Sequence, residues 1–157
     1  MIKAIPDTNI LLRGMFGYKS AHRKLISLAA LKKIQLYGCA ETYKEFCEKA
    51  FMEEIQKYWT KKHFSPEKVI LDYKSVVMMH EPLNQYRDAE IPIQDADDAI
   101  FFRIAMSAGI RLVISEDIKH VQKLNGFSGI KVISAQQFID AYTEIKGSLG
   151  LASITPQ

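Results

Sequence analysis

At 157 residues, with 48% apolar content, the chain has the size and composition of one globular domain with a sizeable core. No run approaches the roughly 18 apolar residues that a membrane span requires, and the opening Met1-Ile2-Lys3-Ala4-Ile5-Pro6-Asp7 has no apolar stretch of signal-peptide length. The expected setting is therefore soluble and cytoplasmic, with no membrane. The net charge of +3 permits an anionic partner such as RNA without requiring one.

Ile2 to Pro6 reads as a first strand ending at Asp7. Thr8 and Asn9 can cap a helix with Ile10, Leu11 and Leu12 on its inner side, and Gly14 and Gly17 break that pattern. Ser20 to Lys33 is a second helical segment, and Ile34 to Gly38 a short strand. Glu41 to Tyr58 reads as a long helix with Tyr43, Phe46, Cys47, Ala50 and Phe51 along one stripe and Glu41, Glu45 and Glu48 on its other side. Cys39 and Cys47 match no zinc spacing and read as buried thiols. Residues 58–64 mix aromatic and basic side chains, which suits either stacking on bases or, more commonly, a helix end with snorkelling lysines.

Ser65-Pro66-Glu67 is a helix start, continued at helical spacing by Val69, Ile70, Tyr73, Val76 and Val77. Glu81 to Ile93 reads as a connector with room for one short strand. The sharpest contrast follows. Asp95, Asp97 and Asp98 precede an apolar run in which Ile100, Phe101, Ile104, Ala105 and Ala108 recur at helical intervals up to Gly109. Arg111 to Ile114 then reads as a buried strand ending in Ser115-Glu116-Asp117. A short helix over 118–124, a turn at Asn125-Gly126, a strand over 130–133 and a helix capped by Ser134 complete the chain. The expected domain is single, 1–157, with an ordered core over 1–146 and a flexible tail from 147. The four histidines, His22, His63, His80 and His120, are scattered and read as surface or partly packed residues.

Strands alternating with helices indicate a parallel sheet covered on both faces. In such sheets ligands gather at the carboxyl ends of the strands. Asp7 and Asp117 lie at strand ends and Asp98 at a helix start, so all of them can converge on one edge. Any one of these acids could equally be a cap: Asp95 as N-cap, Asp97 and Asp98 at the helix dipole. As a cluster they need a cation, because two carboxylates about 5 Å apart repel by roughly 3 kcal/mol at an effective dielectric near 20. An oxygen-rich set suits Mg²⁺ or Mn²⁺ better than zinc.

At these residues the chain resembles the PIN-domain ribonucleases, which include VapC-like toxins of toxin–antitoxin pairs. Ile5-Pro6-Asp7-Thr8-Asn9-Ile10-Leu11, Asp98-Ala99-Ile100 with Ala105, Leu112-Val113-Ile114-Ser115-Glu116-Asp117, and Lys131-Val132-Ile133-Ser134 with Gln137-Phe138 resemble the family's motifs in order and spacing. The resemblance implies a three-layer α/β/α fold with a central, mostly parallel sheet. It implies Asp7, Glu45, Asp98 and Asp117 as metal-binding catalytic acids, with Glu41 as the alternative to Glu45. Asn9 and Ser115 would hold carboxylates or water by hydrogen bonds, and Asp95, Asp97 and Glu116 are auxiliary candidates. The implied chemistry is Mg²⁺- or Mn²⁺-dependent hydrolysis of RNA, in which an acidified water attacks phosphorus in line and leaves a 5′ phosphate. Arg13 and Lys119 are candidates for the RNA backbone. A homodimer is implied, and an antitoxin partner if the chain is a toxin. The alternative is a PIN-fold module that binds RNA or protein with little turnover. A phosphotransfer domain fits poorly: the second aspartate it wants two residues after the first is Asn9 here.

Overall fold

A computed structural model of the chain describes residues 1–16, 20–55, 57 and 65–154, with backbone alone over 147–154. Five strands form one sheet: β1 (Ile2–Pro6), β2 (Ile34–Gly38), β3 (Val77–Met79), β4 (Leu112–Ile114) and β5 (Lys131–Ile133), in the order β3-β2-β1-β4-β5. Every pairing is parallel. The strand order reverses at β1, which puts a crevice beyond its carboxyl end.

The strands sort their side chains by alternation. Ala4, Leu36 and Ile114 face one core, whereas Ile5, Tyr37 and Val113 face the other. The first core takes α1 (Thr8–Phe16), α2 (Ala21–Ala30), α3 (Ala40–Ala50), α4 (Pro66–Val76) and α7 (Ala135–Ile154). The second takes α6 (Ala96–Ala108), whose Ile100, Phe101, Phe102, Ile104 and Ala105 are all buried. The short helix α5 (Asn84–Arg87) bridges β3 and α6. The result is the three-layer α/β/α architecture expected, with the sheet wholly parallel.

Several boundaries depart from the sequence pattern. Gly14 does not end α1; it lies inside it, where a Cβ would come 2.5 Å from Ile26 Cγ1 and 2.7 Å from the His22 carbonyl oxygen. Glycine is there so that α1 and α2 can pack closely. The helix expected over 41–58 is interrupted after Ala50: Phe51 and Met52 form a turn and a bend, and residues 53–55 and 57 are helical again, with Ile55 packed against the first core. The aromatic–basic stretch at 58–64 lies outside the described residues. Val77 leaves the helix and opens β3, whose pairing to β2 continues in His80 N–H donating to Gly38 O at 2.8 Å. The third strand is therefore here and not within 81–93, which contains α5 instead. Most of the helix expected over 118–124 is turn, with a 3₁₀ segment only at Gln122–Leu124.

Candidate active site

Two buried tips at the carboxyl edge anchor the site. Asp7 follows β1 and is tied across to β4 by its own N–H, which donates to Ile114 O at 2.8 Å. Its carbonyl then accepts from Ile10 N at 3.0 Å, so the same residue ends a strand and starts α1. Only 7% of Asp7 is exposed. Ser115 follows β4, is fully buried, and is held to β5 by its N–H on Ile133 O at 3.0 Å. Its hydroxyl donates to Asp7 Oδ2 at 2.9 Å and accepts from Asp117 N at 3.1 Å. One hydroxyl thus fixes both acids. Asn9 also serves Asp7, but through its backbone N–H; its side chain is exposed.

The remaining acids come from helices. Asp95 is the N-cap of α6, its Oδ1 accepting from Asp97 N at 3.0 Å, and Asp98 N donates to the Asp95 carbonyl at 3.1 Å. Glu45, on the middle of α3, is half-buried and ion-paired to Lys49 at 3.0 Å. Together with Glu41, Glu48 and Asp95, Glu45 and Asp98 line an open crevice of about 400 Å³. Glu41 and Asp97 are exposed on its rim.

Electrostatics show which of these groups act on one another. The Asp98 carboxyl is pushed up to about 6, first by burial and then by the charges of Asp7, Asp95, Asp117 and Glu45. Burial raises Asp7 as well; the Ser115 hydroxyl opposes that rise, Glu45 adds to it and Lys49 offsets it. The expected set of Asp7, Glu45, Asp98 and Asp117 is therefore brought together. Of the two helix acids, Glu45 is the one whose charge reaches Asp7 and Asp98. Glu116 points elsewhere: it pairs with Arg13 at 2.9 Å and lies 2.8 Å from His22 Nε2, tying the β4 tip to α1 and α2.

One group escaped the sequence reading. His120 N–H donates to Asp117 Oδ1 at 3.1 Å, and its Nδ1 lies 3.3 Å from Asp117 Oδ2. An oxygen of Asp98, an oxygen of Asp117 and a ring nitrogen of His120 lie within 4.8 Å of one another. The three-residue step from Asp117 to His120 was the available signal. His22 and His80 are partly packed, as expected.

These residues fit a divalent cation. The carboxylates outnumber the cations near them, so Asp98 is pushed toward its neutral form, and a small dication would relieve that crowding.

A doubly wound parallel sheet with carboxylates gathered beyond the carboxyl ends of β1 and β4 defines an α/β domain with one acidic edge. The PIN-domain model matches residues 3–119, and the chain belongs to the PIN-domain family, whose members are generally nucleases. No curated protein matches the chain significantly. Among solved structures, a chain of VapBC2 from Rickettsia felis, bound to a DNA fragment from their promoter, superposes with a TM-score of 0.57 at 9% identity. The match covers 83% of this chain and 97% of that one. Likeness at that identity speaks for the shared fold. Among the described residues, no helix is long and apolar enough to cross a membrane.

Proposed function

We propose that this chain is a Mg²⁺- or Mn²⁺-dependent ribonuclease that hydrolyses RNA phosphodiester bonds, of the PIN-domain kind that includes both the toxins of toxin–antitoxin pairs and housekeeping nucleases. The observation that carries this reading is geometric: oxygens of Asp98 and Asp117 and a ring nitrogen of His120 lie within 4.8 Å of one another, at the edge where the buried Asp7 ends β1, and this crowding raises the Asp98 carboxyl. Such crowding has little structural use in a helix cap, which needs one acid.

Asp7, Asp98, Asp117 and Glu45 would hold the ion. Once bound there, a dication supplies Lewis-acid stabilisation of charge on phosphate oxygens and makes water more acidic. The chain's own part is placement. Ser115 fixes the carboxylate of Asp7 and the backbone of Asp117, and Lys49 steadies Glu45. Arg13 is anchored on Glu116 by one guanidinium nitrogen yet stays 66% exposed, so its remaining donors can meet a backbone phosphate. Lys119, exposed beside Asp117, can do the same. The VapBC2 likeness supports an antitoxin as partner, and a homodimer is the expected assembly.

Purified protein is expected to cut unstructured RNA in Mg²⁺ or Mn²⁺ and to stop in EDTA, and Asp98→Asn to abolish cutting while the fold survives. An Asp98→Asn variant as active as the parent would refute the site. Retention of RNA without cutting, at any dication concentration, would point to a binding module instead.

A further inference from the structure

We infer that His120 is a nitrogen ligand of this same centre, and that it makes the centre select a first-row transition dication such as Mn²⁺ over Mg²⁺. This rests on the metal-dependent reading above and extends it to the identity of the ion.

The geometry points to His120 in two ways. First, the backbone aims it. Its N–H is bonded to Asp117 Oδ1, which folds the chain back on that side chain and sets the ring beside the other carboxylate oxygen. Second, the reach is right. Ligand atoms bound about 2.1 Å from one ion stand about 3 Å apart when adjacent and about 4.2 Å apart when opposite. The Asp98, Asp117 and His120 atoms already lie within 4.8 Å, so small side-chain rotations close the set. The His120 side chain is 36% exposed, which leaves the ring room to turn.

The chemistry then dictates the preference. Mg²⁺ favours oxygen ligands and keeps its waters. Imidazole nitrogen is a better ligand for transition dications, with affinity rising from Mn²⁺ toward Ni²⁺. A centre made of carboxylates alone separates Mn²⁺ from Mg²⁺ weakly; one nitrogen widens the gap.

The test uses the full chain with Mn²⁺ and Mg²⁺ alone, without RNA. Pulsed electron paramagnetic resonance of bound Mn²⁺ is expected to show imidazole nitrogen coupling in the parent and none in His120→Ala. In competition titrations, His120→Ala is expected to weaken Mn²⁺ by at least about tenfold while leaving Mg²⁺ within about threefold. Absence of nitrogen coupling in the parent overturns the inference, whether or not the variant folds. Equal losses for both ions also overturn it, since they would mean that His120 merely orients Asp117. Asp98→Asn separates the two levels. If that variant loses Mn²⁺ while His120→Ala keeps it, only the ligand role fails; if Asp98→Asn binds Mn²⁺ like the parent, the centre itself is misplaced.

Discussion

Removing a charge from the site should make the metal-free protein more stable. The perturbation is Asp98→Asn, which keeps the shape of the side chain. In the unfolded chain this carboxyl titrates near 3.8, and in the fold near 6. Because the folded value is the higher one, protonation favours folding. The carboxyl costs nothing below about pH 3.8, and the fold loses stability as pH rises to about 6, beyond which the full cost persists. That rise corresponds to at most about 3 kcal/mol. Solvent screening of a partly exposed group and the helix N-terminus that favours its charge reduce this to about 1–2 kcal/mol. Urea unfolding in EDTA at pH 7.5 should therefore find Asp98→Asn more stable than the parent by about 1–2 kcal/mol, equivalent to about 2–8 °C in Tm. At pH 4 the gap should nearly vanish. Saturating Mn²⁺ should reverse the order, because only the parent gains strongly from ligand binding. A variant that is equal or less stable at pH 7.5 in EDTA would show that the carboxylates do not strain the fold, and the case for a cation would lose its physical basis.

Two further outcomes test the scaffold. Ser115→Ala removes a buried hydroxyl that donates to Asp7 and accepts from Asp117 N, and should cost about 2–3 kcal/mol in chemical denaturation. It should also raise the Asp7 carboxyl further, visible as an upward shift in its side-chain NMR titration. Gly14→Ala drives a methyl into the His22 carbonyl and Ile26, and should cost about 1–3 kcal/mol by the same measurement; a neutral effect would mean that α1 and α2 separate without penalty.

Local chemistry is what the linear chain specifies. The apolar run from Ala99 to Ala108, the Gly109 stop at φ 68°, the Ser134–Gln137 mutual cap and the strand ending at Asp7 all follow from neighbours within a few residues. Hydrophobic period and capping are short-range, so the alternating order of strands and helices, and with it the parallel sheet and its acidic edge, could be read before any coordinates. Tertiary structure decided what depends on partners distant in sequence. Val77 to Met79 became a strand because β2 offered it hydrogen bonds, although helical spacing ran on into its first residue, Val77. Gly14 was kept inside a helix by the approach of another. Glu45 was separated from Glu41 by which of them faces Asp7 and Asp98, and His120 was brought to Asp98 by a turn whose direction no periodicity encodes. Interactions between groups dozens of residues apart are fixed by packing, and a linear pattern can name such groups without saying which of them meet.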